Sequence, residues 1–229
     1  MNSIRENWLV LRDRIARAAE GAGRRGGDIE VIAVSKTRSA EEIEAAQQCG
    51  LTIVGENRVQ EAEEKKAAVG VSLSWHMIGH LQSNKAGKVV ELFDVVQSVD
   101  RLSLAQALAR RAEAVGRRLD ILLQVNTAGT ASQSGADPER TVDLVGQVAG
   151  LPALHIRGLM TIGAHSEDER LVRASFARLR RLAEAVEAAG MDGVEMRDLS
   201  MGMSGDFEWA IAEGSTMVRL GTALFGVRP

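Results

Sequence analysis

From residue 29 onward, eight short β-rich apolar runs alternate with Ala/Glu/Arg-rich stretches, and this alternation limits the fold more than any other feature of the chain. The runs are Glu30–Val34, Thr52–Val54, Ser74–Ile78, Val95–Ser98, Leu119–Val125, Leu154–Met160, Glu195–Leu199 and Thr216–Leu220. Their spacing averages about 25 residues, the sum of a strand of ~5–6 residues, a helix of ~11–12 and two short loops. Runs such as Val31-Ile32-Ala33-Val34 and Ile121-Leu122-Leu123 are apolar without alternation, as parallel strands covered on both faces require. Eight βα units that close on themselves make a (β/α)8 TIM-type barrel, an α/β fold; an open doubly wound sheet is the runner-up.

Ahead of the first run, Ile4, Trp8, Leu11, Ile15 and Ala18 recur at spacings of three and four. This predicts an extra N-terminal helix from Ile4 to about Ala22, packed on the barrel within residues 1–28. The following Gly21-Ala22-Gly23-Arg24-Arg25-Gly26 satisfies G-x-G-x-x-G, but it follows a helix, whereas a dinucleotide loop must leave a strand and open a helix. Asp137-Pro138-Glu139 reads as a cap, an N1 proline and a first-turn acid. The small polar stretch Ala128 to Ala136 predicts a mobile flap after the fifth strand. No interdomain linker is visible, so residues 1–229 read as one barrel domain.

Composition narrows the partners. With 28 basic and 31 acidic residues the net charge is −3, which offers no field to draw in nucleic acid and favours a small-molecule ligand. A single cysteine, Cys49, cannot form an internal disulfide, and the start Met-Asn-Ser-Ile-Arg-Glu is unlike a signal peptide. No apolar stretch approaches the ~18 residues of a membrane span, so a cytoplasmic protein is expected. Tyrosine is absent, which removes any tyrosine acid or base.

In a barrel the chemistry gathers where the strands end at their C-termini. The first strand ends in Ser35-Lys36-Thr37, placing a lysine at the mouth; the other four lysines, Lys65, Lys66, Lys85 and Lys88, fall in helical segments read as solvated. A free amine titrating near ~10.4 is neutral in fewer than about one molecule in a thousand at pH 7, and partial burial raises that fraction. Such an amine forms an imine with an aldehyde. The seventh strand leads into Ser200-Met201-Gly202-Met203-Ser204-Gly205-Asp206 and a helix over about Asp206–Glu213, and the eighth leads into Arg219-Leu220-Gly221-Thr222-Ala223. Loops after strands seven and eight form the common phosphate cradle of barrels, with Ser204 and Thr222 as hydroxyl donors. Asp206 and Glu208 oppose a dianion unless they turn outward. A lysine and a phosphate cradle on one rim describe a site for pyridoxal 5′-phosphate (PLP). No metal site is expected: His76 and His80 straddle a strand end without a third ligand, and His155 and His165 read as structural or surface residues.

The chain resembles the pyridoxal phosphate homeostasis proteins, relatives of the N-terminal barrel of alanine racemase and of fold type III-like PLP proteins. The resemblance runs through Val34-Ser35-Lys36-Thr37, Gly55-Glu56-Asn57-Arg58-Val59-Gln60-Glu61 and the block Trp75 to Lys85 containing His76-Met77-Ile78-Gly79-His80. It continues through Gly158-Leu159-Met160-Thr161, Leu199 to Ser204 and Arg219 to Gly226. It implies that Lys36 carries the cofactor as an internal aldimine, a reversible Schiff base. It further implies that Asn57, His80, Met160 and Ser200 line the ring pocket, that Ser204, Gly221 and Thr222 hold the phosphate, and that Arg219 faces the pyridine nitrogen. The chain departs from the family in having Gln133 where a flap lysine is common, and in ending slightly early at Val227-Arg228-Pro229.

The favoured reading is a carrier that holds PLP and releases it to PLP-dependent apoenzymes, serving vitamin B6 homeostasis without strong catalysis of its own. Arginine has no acceptor, so Arg219 would leave the ring nitrogen unprotonated and the ring a poorer electron sink. The relationship also implies a second domain and a tyrosine base in the racemase, neither of which this sequence holds. The alternative is an amino-acid racemase or related isomerase with Lys36 as its base. A monomer is expected because the site is self-contained.

Overall fold

The computed structural model describes residues 3–131 and 133–227. Met1, Asn2, Ser132, Arg228 and Pro229, which belong to the expectations about the leader, the flap and the C-terminus, lie outside the described residues. Eight parallel strands close in chain order, β1 Glu30–Val34, β2 Ile53–Glu56, β3 Ser74–Met77, β4 Val95–Val99, β5 Leu119–Gln124, β6 Leu154–Met160, β7 Val194–Met203 and β8 Met217–Leu220. The last strand pairs with the first, Ile32 opposite Arg219 and Ala33 opposite Leu220, so the sheet has no free edge. The (β/α)8 barrel expected from the spacing is the observed fold.

Helices cover the outside: α1 Ile4–Gly21, α2 Ala40–Gln48, α3 Val59–Ala68, α4 Ala86–Leu92, α5 Leu102–Ala114, α6 Thr141–Ala149, α7 Glu169–Ala188, α8 Phe207–Ala212 and α9 Thr222–Phe225. The extra helix α1 starts where Ser3 and Glu6 form a reciprocal capping box, and it buries Leu11, Ile15 and Ala19 against Phe207, Ile211 and Leu224. Helix α7 buries Val172, Phe176, Leu179, Ala183 and Val186, a three/four-residue stripe that faces the strands.

Two strands end two or more residues beyond the sequence reading, the other ends agreeing within one residue. Strand β2 continues through Gly55 and Glu56, because inside the barrel a Cβ on Gly55 would lie 2.7 Å from Ile32 and 2.9 Å from Ile78, so only glycine fits the ladder there. Strand β7 runs on through Ser200-Met201-Gly202-Met203, read above as a loop. Gly202 has φ +92°, and the register with β8 shifts between Ser200 and Met203. A positive-φ glycine lets a strand absorb an irregularity and continue, whereas in sequence it reads as a turn. After Pro138 the chain makes one 3-10 turn, with Asp137 accepting from the Glu139 N–H, before α6 begins at Thr141.

Candidate functional site

At the C-terminal mouth of the barrel a cavity of about 350 Å³ is lined by Val34, Lys36, Asn57, Ile78, Met160, Ile162, Met203, Ser204, Gly205, Arg219, Gly221 and Thr222. Seven of the nine residues expected at the site thus line this one cavity: Lys36, Asn57, Met160, Ser204, Arg219, Gly221 and Thr222. A wider cleft of about 780 Å³ lies between the loops after β5 and β6 and helix α7, lined by residues such as Thr127, His165, Leu171 and Arg178. It has no amine facing a set of backbone donors, so the chemistry points to the smaller cavity.

Lys36 follows β1, and alternation along the strand puts Val34 and Lys36 on the cavity side and Ser35 behind. Behind it lies a polar cluster that sequence reasoning missed. The Ser35 hydroxyl donates to Glu56 Oε1 at 2.5 Å, and Lys65 Nζ donates to the same oxygen and to the Ser35 carbonyl, each at 2.7 Å. The side chain of Lys65 is 12% exposed, which corrects its reading as a solvated helix residue: a buried carboxylate on β2 draws it inward. Lys66 likewise donates to the Leu92 carbonyl.

Beneath the cavity a hydrogen-bonded chain crosses the barrel. Gln97 Nε2 donates to His76 Nδ1 at 2.8 Å, Ser200 Oγ donates to Gln97 Oε1 at 2.7 Å, and Arg219 donates to Ser200 Oγ at 2.7 Å and to the Thr161 carbonyl at 2.8 Å. Ser200 therefore sits under the cavity as a support for Arg219 and is not part of its lining. Burial pushes the His76 imidazole down to about 3, Arg157 reinforcing and Asp120 opposing, so the ring is neutral and fits its role as acceptor. Burial also pushes the Arg219 guanidinium down to about 10 against the charge of Asp206, leaving it cationic at neutral pH. Gln97 escaped the sequence reading because one glutamine within an apolar strand does not disclose which residues it meets once the barrel closes.

At the same cavity Ser204 Oγ accepts from the backbone N–H of Gly221 at 3.3 Å and of Ala223 at 3.2 Å, so two amides at the start of α9 converge on one oxygen. Glu208 is turned outward and paired twice with Arg14 of α1, at 2.9 and 2.8 Å. Burial raises the Asp206 carboxyl, opposed by the Met203 N–H at 2.6 Å and by the charge of Arg219. Both acids are thereby engaged, Glu208 by Arg14 and Asp206 by the Met203 N–H.

His80 is the expected site residue that stands apart: its ring is 54% exposed, with Nδ1 3.7 Å from Asp100 Oδ2 on the rim. In the expected flap, Asn126 donates to the carbonyls of Thr130 and Gln133, and Gln133 Nε2 donates to the Gly163 carbonyl at 2.9 Å. The described part of the loop is therefore laced to itself and to the segment after β6 by its own side chains, a restraint that small polar composition did not reveal. His155 lies between Asp120 and Glu195 at the other end of the barrel. No helix among the described residues is long and apolar enough to cross a membrane.

A closed parallel barrel whose mouth gathers a lysine after β1 and the loops after β7 and β8 around one cavity has the form of an alanine racemase-type barrel, and the alanine racemase N-terminal domain family matches residues 1–229. A pyridoxal phosphate homeostasis protein of Pseudomonas aeruginosa is 44% identical over 229 residues, covering 100% of this chain and 97% of the relative. The chain belongs to the pyridoxal phosphate homeostasis protein family. Among solved structures, one described as an unknown protein from Bifidobacterium adolescentis matches with TM-score 0.93 at 42% identity, over 97% of this chain and 94% of that one. PipY of Synechococcus elongatus, solved with PLP bound, matches with TM-score 0.86 at 38% identity, over 98% of this chain and 100% of that one.

Proposed function

We propose that this chain holds pyridoxal 5′-phosphate reversibly at the barrel mouth, covalently through Lys36, and acts as a carrier in PLP homeostasis. The observation that carries the reading is that the Lys36 amine and the Ser204-Gly205 and Gly221-Thr222 segments line a single cavity of about 350 Å³, within the ~300–1,000 Å³ range of small-molecule sites. When bound, the cofactor supplies an aldehyde whose carbon joins a neutral primary amine as its oxygen leaves as water.

The chain's own residues fit that group. The Ser204 hydroxyl and the hydroxyl and N–H of Thr222 would offer donors to a phosphate, with Gly221 and Gly205 keeping side chains out of the way. Arg219, fixed by Ser200 and Thr161, presents a donor without an acceptor, which suits an unprotonated ring nitrogen. Asn57 and Met160 would flank the ring and Ser200 would act on it through Arg219, whereas His80, turned toward Asp100 on the rim, would reach it only from outside the lining. The relatives' names and the PLP-bound PipY support the same assignment. In this reading the whole chain is one cofactor-binding unit, monomeric and cytoplasmic, that delivers PLP to apoenzymes.

The test is to load the protein with PLP, reduce with borohydride and map the modified peptide. The pyridoxyl group is expected on Lys36, and Lys36→Ala is expected to abolish the labelling and the visible absorbance of the loaded protein. Label on another lysine, or none on the native chain, rejects the assignment.

A further inference from the structure

We propose that Lys65 is the positioning residue of this site, clamping the Ser35-Lys36-Thr37 turn from behind through Glu56 and Glu61. The proposal rests on the reading of Lys36 given above. The clamp's hydrogen bonds go to the two chain neighbours of Lys36, Ser35 and Thr37. Lys65 Nζ donates to the Ser35 carbonyl at 2.7 Å, to Glu56 Oε1 at 2.7 Å and to Glu61 Oε2 at 3.3 Å, which engages all three ammonium hydrogens. Each acid in turn holds the turn directly: Glu56 accepts from the Ser35 hydroxyl, and Glu61 accepts from the Thr37 N–H at 3.1 Å.

Two features indicate that this cluster fixes a geometry and does more than fill space. Thr37 has φ +65°, the one positive value outside glycine among the described residues, and such a conformation persists only where its surroundings over-determine it. Glu56 is fully buried with Oε2 lacking any partner, a costly arrangement that an apolar side chain would avoid. Glu61 and Lys65 stand four residues apart on α3, one turn of the same face, so a single helix delivers both halves of the clamp to the end of β1. The consequence is that the stem of Lys36 enters the cavity in one orientation, with its amine aimed at the place where an aldehyde would lie. Misplacing a reacting group by about 1 Å slows reaction by up to ~10²-fold.

The experiment separates capture from pocket binding. Pyridoxine 5′-phosphate has the ring and phosphate but an alcohol for the aldehyde, so its affinity reports the pocket alone. In Lys65→Met the rate of covalent PLP capture, followed by absorbance and borohydride trapping, is expected to fall at least ~tenfold while affinity for pyridoxine 5′-phosphate stays within ~twofold. Glu61→Ala removes the Thr37 acceptor, one Lys65 contact and an exposed ion pair with Arg58 at 3.8 Å, and is expected to slow capture about threefold with the same unchanged affinity. If Lys65→Met does not fold, Glu61→Ala decides on the same two readouts. Unchanged capture in the folded variants overturns the proposal, and so does a parallel loss of capture and of analogue affinity, which marks a general structural defect. Failure of the native chain to capture PLP rejects the reading of Lys36 and this inference with it; native capture with unaffected variants rejects the clamp alone.

Discussion

His76 is held neutral by the closed barrel, and its titration is a cost the fold meets on acidification. Its folded value of about 3 lies below the ordinary 6.5, so between these values the unfolded chain binds a proton that the folded chain refuses. The stabilisation is complete above pH 6.5 and declines toward pH 3, by up to about 1.4 kcal/mol per unit. Thermal denaturation from pH 7 to about 4.5 is expected to show a steeper loss in the native chain than in His76→Gln, whose amide oxygen can still accept from Gln97 but which does not titrate. Equal slopes would remove the neutral imidazole from the account. The same side chain shows what the sequence discloses and what it hides. Lys36, Ser204 and Thr222 were legible because each follows an apolar run, and the end of a barrel strand is itself an address. Gln97, Glu56 and Lys65 were not, because a polar residue in a buried element acquires meaning only from partners on other elements, and the distance in sequence from Gln97 to Ser200 is 103 residues.

The extra helix α1 bears on the site although it supplies no group to it. It buries Leu11, Ile15 and Ala19 on α8 and α9, and its Arg14 takes Glu208 away from the amides that follow β8. Ile15 is 3% exposed, so Ile15→Ala deletes buried carbon without leaving room for water to compensate. It is expected to cost about 2–5 kcal/mol in chemical denaturation. The fall in stability should be accompanied by weaker pyridoxine 5′-phosphate binding, since α9 begins at the amides of Gly221 and Ala223. A stability loss below about 1 kcal/mol would mean that α1 is a loosely attached appendage. Helix α1 was readable because its apolar spacing and capping box are local. The ends of β2 and β7 were not, since Gly55 and Gly202 look like turn residues until the opposing side chains, Ile32 and Ile78 for the first and Ala210 for the second, explain why a Cβ is excluded.

For the molecule as a whole, holding an aldehyde and catalysing on it make opposite demands. A racemase needs a proton donor or acceptor on each face of the substrate and an electron sink in the ring. The 229 residues contain no tyrosine, the exposed His80 is spent toward Asp100 on the rim, and the group placed against the ring nitrogen in the proposed pose is Arg219, which can only donate. If the amine of Lys36 and the loops after β7 and β8 hold the cofactor as proposed, the mouth would favour retention and slow exchange over carbanion chemistry. The distinguishing measurement is α-proton exchange of alanine and serine in deuterated water, followed by NMR with PLP-loaded protein. Exchange is expected not to exceed that of free PLP at the same concentration. Sustained exchange above that level that disappears in Lys36→Ala would instead make Lys36 a working base, and the one-base isomerase would replace the carrier as the account of this fold.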